Sequence, residues 1–355
     1  MRIFNNINGK YNKNTNIMNQ TRSIFSVILL LLCSATLQAQ VAYLLRTSSI
    51  GDLPAENYNS VDEQPERNAA TWFKDSYSTT EEKVMLSIAQ VKGGALLSGG
   101  APAYKVLWVN VDAVGIADLA AAGIDSELIT AIGNYVRAGG NLYLTKQATR
   151  IVCDINRMGY LPGWGNGGYG VGGDVWSINA HLGIWPDIPQ DFDRRTYPLL
   201  RGMAVDNTIR AYRYLEVDYT FPTFPLIGAV PRTDNNCLWA DLYRKDPGTG
   251  GQLAPGATTH YENGNPLRLT DFETDWNCTV VAVWGHVVDF CSAGLIDFKP
   301  DATYKGHIVA NGFAAYQWGT SNDYIGNVQA LTAGVLDYLT ALRNLEGCAN
   351  CFLVY

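Results

Sequence analysis

KVLWVNV at residues 105–111 and NLYL at 141–144 are the two stretches on which the fold turns. The first is a near-continuous apolar run, the pattern of a strand covered on both faces. One helix fits between them. Asp125 or Ser126 can cap it, Leu128, Ile129, Ile132 and Val136 form its apolar stripe, and Gly139-Gly140 stop it. Strand, helix and strand with short connections make a parallel crossover unit. Working outward, VAYLLR (41–46) reads as a short strand and Glu66–Ser76 as a helix with Pro65 at its start. Ala148–Met158 reads as a further helix after the second strand. CTVVAVW (278–284), GLIDF (294–298) and GHIVAN (306–311) read as strands, the first of them parallel to 105–111 and 141–144 in the same sheet. Asn327 is placed to cap a closing helix whose stripe is Val328, Leu331, Val335, Leu336, Leu339 and Leu342. The expected class is α/β, a three-layer sandwich with a mostly parallel central sheet.

The middle of the chain has a different texture. Residues 163–173 (GWGNGGYGVGG) hold seven glycines with Trp164 and Tyr169 between them, and read as a long irregular loop of functional type. Polar, proline-rich sequence then runs from Trp185 to Pro266, broken by short strands at Tyr214–Tyr219 and Cys237–Tyr243. This is an irregular insertion in one domain spanning 40–342, followed by a tail at 343–355.

The chain has 355 residues, of which 47% are apolar, enough to build a sizeable core. Arg2, Lys10, Lys13 and Arg22 all precede residue 40, where no acid occurs. The remainder carries 22 basic against 33 acidic side chains, a formal charge of −11 that repels phosphate backbones and excludes nucleic acid as a partner. Ile24–Cys33 (IFSVILLLLC) is too short to span a bilayer core, which needs about 20 residues. With basic residues before it and a small residue at Ala39, it reads as a signal peptide over 1–39, with Met18 a second possible initiator. The expected address is across the inner membrane, periplasmic or at the cell surface, with no transmembrane segment in the mature chain. Six cysteines follow Ala39. An oxidising compartment allows disulfides among them, and Cys348-x-x-Cys351 reads as a local disulfide or two free thiols.

The residues offer little catalytic chemistry. No Gly-x-Ser-x-Gly or Gly-x-Cys-x-Gly occurs, and the best-placed nucleophile elbow, Thr145-Lys146-Gln147-Ala148-Thr149, holds neither serine nor cysteine. His181, His260, His286 and His307 are scattered without zinc spacing, so no metal and no cofactor is expected. Glu216 and Asp218 lie two apart on a strand, and Asp271 and Glu273 repeat that spacing. Such pairs share one face and could serve glycoside hydrolysis. His286 has Asp289 within reach to orient it. Trp276, Tyr316 and Trp318 stand beside amides and carboxylates, a pairing that suits the face and hydroxyls of a sugar ring.

Two stretches carry a family resemblance. One runs from Phe272-Glu273 through Trp284-Gly285-His286 and Asp289 to Cys291. The other is Lys305–Gly312 with Ala315-Tyr316-Gln317-Trp318, Asn322, Asn327, Leu331-Thr332 and Asp337-Tyr338-Leu339. They resemble a domain of unknown function in secreted Bacteroidetes proteins that accompany polysaccharide utilisation, itself similar to glutamine amidotransferase-like, trehalose-utilisation-like folds. The resemblance implies a flavodoxin-like three-layer fold and a glycan context. The missing cysteine elbow and the missing His-x-Glu argue against amidotransferase activity. The reading is therefore a secreted carbohydrate-binding or glycan-processing accessory protein without turnover, with carbohydrate as its partner and a fructan-type glycan as the candidate. Its ligand site takes Lys146, Gln147, Trp164, Trp276, His286, Asp289, Tyr316 and Trp318, gathered beyond the carboxyl ends of the strands. The alternatives are a hydrolase using Glu216, Asp218 or Glu273, and a structural module of the cell envelope.

Overall fold

Side chains alternate across a strand, and both faces of this sheet are covered. Along Val106–Val111, Val106 and Trp108 enter one core while Leu107, Val109 and Val111 enter the other. Tyr143 and its neighbours Leu142 and Leu144 divide in the same way. This two-sided burial makes the strands read as unbroken apolar runs. The computed structural model describes residues 40–46, 64–112, 119–120, 123–158, 163–166, 176–182, 192–206, 210–211, 219–220, 224–227, 236–241, 269–284, 292–313, 316–319 and 322–346.

In chain order the sheet strands are β1 (Gln40–Leu45), β2 (Glu82–Ser87), β3 (Val106–Val111), β4 (Asn141–Lys146), β5 (Gly163–Asn166), β6 (Trp176–Asn179), β7 (Phe224–Ile227), β8 (Asn236–Asp241), β9 (Cys278–Trp284), β10 (Ser292–Phe298) and β11 (Ile308–Asn311). They form one eleven-stranded sheet whose main path is β7-β6-β9-β10-β11-β4-β3-β1-β2. The half β2-β1-β3-β4-β11 is parallel throughout. Beyond β11 the pairs β11–β10, β10–β9, β9–β6 and β6–β7 are antiparallel. Two reversals return β9 to the direction of β3 and β4, as expected for 278–284.

Helices α1 (Gln64–Asp75), α2 (Ile88–Lys92), α3 (Ser126–Arg137), α4 (Ile151–Asp154), α5 (Leu269–Asp275) and α6 (Ile325–Glu346) complete the layers. α3 packs on one face through Leu128, Ile132, Tyr135 and Val136. On the other face lie α1, through Ala69, Ala70 and Phe73, and α6, through Val328, Leu331, Val335, Leu336 and Leu339. Asp125 is the cap of α3, its Oδ1 accepting from Leu128 N–H at 3.1 Å.

Several expectations change. Asn327 lies inside α6 and does not cap it; its side chain bonds the backbone of Ala204 and Pro225. The helix expected over Ala148–Met158 is a 3-10 turn, Gln147–Arg150, and the short α4, ended by Asn156 at φ 64°. Glycine-rich Gly163–Asn166 is a strand paired with β8, and the middle insertion adds β6, β7 and β8 to the sheet. β2 escapes sequence reading because it has a polar start, Glu82-Lys83, and among the described residues pairs only with β1, at the edge of the sheet.

Close backbone approach fixes the join between β11 and the end of α3. A Cβ on Gly306 would lie 2.0 Å from the Gly140 carbonyl oxygen, a backbone atom that cannot step aside. Gly306→Ala is expected to lower unfolding stability by about 3 kcal/mol, the upper part of the overpacking range, measured by urea denaturation.

Candidate functional site at the carboxyl edge

Three of the parallel strands end in a charge. β1 runs into Arg46, β3 into Asp112, and β4 ends at Lys146. The β3–β4 register sets Val111 opposite Lys146, so Asp112 and Lys146 meet at the edge. Lys146 Nζ lies 3.3 Å from Asp112 Oδ1. Arg46 pairs with Glu66, which belongs to the first turn of α1. Glu66 Oε1 also accepts from Asp112 N–H at 2.7 Å, joining the two pairs. The side chains of all four are 1% exposed.

Removing charges from water is costly, and opposite partners offset part of that cost here. Burial pushes the Glu66 carboxyl above its ordinary value, opposed by the Arg46 guanidinium and the Asp112 N–H. Protonating Glu66 would leave the Arg46 cation uncompensated in the interior, which is why the guanidinium opposes the rise. The N-terminal turn of α1 adds a favourable dipole to the carboxylate. Glu66 Oε2, equally buried, accepts no hydrogen bond.

Lys146 also carries backbone strain. At φ 57°, ψ −129° it leads into the 3-10 turn Gln147–Arg150 in a conformation that non-glycine residues rarely adopt. The sharp strand-to-helix turn expected at Thr145–Thr149 therefore exists, with lysine at its apex. Thr145 is fixed beside it, donating to Asn110 Oδ1 at 2.6 Å and accepting from Trp108 Nε1 at 3.1 Å. Asn311 ends β11 in register with Thr145.

Below this edge lies an aromatic layer. Trp108 meets Tyr43 at 4.8 Å, Tyr143 at 5.8 Å and Trp318 at 5.9 Å, and Trp72 meets Trp318 at 5.0 Å. Trp318 and Tyr316 are buried, with Tyr316 hydroxyl bonded to Thr332, so neither offers a stacking face. Burial raises the Tyr143 phenol to about 12.

The other expected site residues separate. Lys146 and Gln147 lie at the carboxyl edge, both buried. Trp276 precedes β9 and packs on the α3-side core at the opposite edge. Asp271 and Glu273 fall in helix α5 rather than on a strand, where a two-residue spacing turns side chains roughly 200° apart. Glu273 is held by Arg194 at 3.1 Å and Val280 N–H at 2.8 Å, which makes it a structural carboxylate. Glu216, Asp218, His286 and Asp289, and the side chain of Trp164, lie outside the described residues. Arg46, Glu66 and Asp112 were not expected as site residues; for Arg46 and Asp112 the single charge closing an apolar strand was the signal, whereas Glu66, in the first turn of α1, had none of that kind.

Among the described residues no three His, Cys, Asp or Glu side chains group as metal ligands would, and no helix is long and apolar enough to cross a membrane. Cys153 and Cys278 carry thiols rather than a disulfide. No family model and no curated protein matches this chain. A solved structure of a cytoplasmic protein from Salmonella typhimurium aligns over 84% of this chain and 98% of its own, with 9% identity and a TM-score of 0.33. A likeness that low carries no argument about fold or function. That protein is described as cytoplasmic, whereas a periplasmic or surface address was expected here from Ile24–Cys33; those residues lie outside the described ones, and no compartment is assigned.

Two measurements probe this edge. Lys146→Gly is expected to unfold with about 1–3 kcal/mol more stability than Lys146→Ala, because both lose the ion pair and only alanine keeps the backbone cost. Glu66 has a raised folded value, so the stability it lends is complete below its ordinary 4.5 and is lost as pH rises through the folded value. Denaturation curves should show the wild type falling relative to Glu66→Gln across that window; parallel curves would contradict the raised carboxyl.

Proposed function

We propose that the protein binds a small, uncharged polyhydroxyl ligand of the saccharide class at this carboxyl edge, without turning it over. The observation that carries the reading is Glu66 Oε2, a buried carboxylate oxygen with unused acceptor capacity beside the Arg46–Glu66 and Asp112–Lys146 pairs. Hydroxyls can complete such an acceptor and add no charge. A phosphate or carboxylate would bring further negative charge beside the buried Glu66 and Asp112 carboxylates, at a cost of several kcal/mol. The position, beyond the carboxyl ends of parallel strands, is where open α/β sheets place their ligands. The resemblance of the C-terminal motifs to proteins of polysaccharide utilisation supports the same ligand class. Recognition is by hydrogen bonds from charged groups, since Tyr316 and Trp318 are core residues.

Hydrolysis has less support. It needs one carboxyl free to donate a proton and another to attack or activate water. Glu66 and Asp112 are each paired with a cation, and Glu273 is bonded to Arg194.

Titration calorimetry with a fructan oligosaccharide, a glucan oligosaccharide and inorganic phosphate tests the proposal. A saccharide is expected to bind and phosphate not to. Glu66→Gln should weaken saccharide binding roughly tenfold, the loss of one charge-assisted hydrogen bond, with no reducing sugar released by either protein. Phosphate binding without saccharide binding would overturn the reading.

A further inference from the structure

We propose that a cleft between α2 and α3 binds a small amphipathic cation, an aliphatic chain with a primary ammonium at one end and a carbonyl acceptor at the other. The cleft shares no residue with the carboxyl edge, so this inference stands apart from the saccharide reading. The chain builds it locally. Ser87 and Gln90 cap α2 reciprocally, and Lys92 falls in its last turn. Gly93 and Gly94 turn the backbone, Gly94 at φ 93°, and a hairpin pairing Leu97-Ser98 with Ala101-Pro102 follows. Opposite this segment α3 presents Glu127, Thr130, Ala131 and Asn134, whose i, i+3, i+4, i+7 spacing puts them on one face. The space between is about 340 Å³, at the lower end of the range of small-molecule sites. Val91, Leu96 and Leu97 form the facing wall, so the middle of the cleft is apolar.

The two ends of the cleft differ, and that difference selects the ligand. At the first turn of α3, Lys92 Nζ bonds Asp125 and lies 3.9 Å from Glu127 Oε2, beyond hydrogen-bond distance. Asp125 is fully engaged, because its other oxygen accepts from Leu128 N–H. The lysine and that N–H hold its carboxyl below the ordinary value. Glu127 is 71% exposed, and Lys92 is the one cation paired with it among the described residues. One ammonium thus faces two carboxylates, which favours a second cation and disfavours an anion. Two turns further along α3, about 10 Å along its axis, Asn134 Oδ1 accepts from Arg137 Nη1 at 3.2 Å. Its amide nitrogen bonds no group among the described residues and has two N–H donors for a carbonyl. The formal charge of −7 on the chain favours the approach of a cation.

The cluster of Asp297 with Tyr197, Tyr338 and His307 offers a ligand less, since its carboxylate is already bonded to three side chains.

The test titrates the full chain with three probes by saturation-transfer NMR: 6-aminohexanamide, hexanamide, which lacks the ammonium, and hexylamine, which lacks the carbonyl. 6-Aminohexanamide should bind with a Kd of roughly 1 mM, the scale for a ligand of that size. Hexanamide should bind about fivefold more weakly, the scale of one exposed ion pair. Glu127→Gln should weaken 6-aminohexanamide by about the same factor and leave hexanamide unchanged. Asn134→Ala should weaken both amides about fivefold and leave hexylamine unchanged. Ala131→Phe fills the cleft and should abolish binding of all three; should it fail to fold, the exchange of exposed Glu127 keeps the test. Equal binding of 6-aminohexanamide and hexanamide overturns the proposal. So does a Glu127→Gln protein that binds 6-aminohexanamide as tightly as the wild type, or the absence of binding by any probe. Saccharide binding enters none of these outcomes, so the two readings fail separately.

Discussion

The parallel register between Val106–Val111 and Asn141–Lys146 is the constraint from which the rest of the structure follows. It sets two apolar strands side by side with both faces to be covered, so helices must pack on each side. It also aligns the strand ends, which brings Asp112 and Lys146 within ion-pair distance. At the other end it is held by Asn141, whose side chain donates to Leu339 O at 2.7 Å and accepts from His307 N–H at 2.8 Å. One residue thus ties β4 to α6 and β11. A slip of one position would exchange the two faces and separate Asp112 from Lys146.

The charged edge is an energetic compromise. Two ion pairs held away from water are weak contributors to stability compared with an apolar filling of the same volume, because desolvation offsets much of the attraction. The strained backbone at Lys146 adds a further cost of about 1–3 kcal/mol. The aromatic layer of Trp72, Trp108, Tyr43 and Trp318 supplies the rigid apolar base that holds such an arrangement. Stability is spent here in a place where open sheets bind ligands, and that coincidence makes the edge a functional candidate.

The fold was largely legible in the sequence. KVLWVNV, the stripe of 128–136 and the stripe of 328–339 each carry a local period that only one kind of element satisfies. Edge strand β2 was not, since a strand with one neighbour needs no continuous apolar run. The aromatics misled for a related reason. Trp318 sits beside Gln317 and Gly319 in sequence, yet its ring packs against Trp72 and Trp108 from elements far away in the chain. Polarity of neighbours along the chain says nothing of which residues arrive from elsewhere.

By itself, then, the sequence determined the class of fold, the parallel crossover from 106 to 146 and the packing face of the closing helix, because hydrophobic period is a local property. It also placed Lys146 and Gln147 at a strand-to-helix turn. Only the tertiary structure decided that Arg46, Glu66, Asp112 and Lys146 form one buried group of ion pairs, that Lys146 carries the strained backbone, and that Tyr316 and Trp318 belong to the core. Arg46 and Lys146 are 100 positions apart in the chain, and no local pattern encodes which charges will be carried out of water together. Their meeting is set by strand register and by the helix that lays Glu66 across the edge, and both are products of global packing.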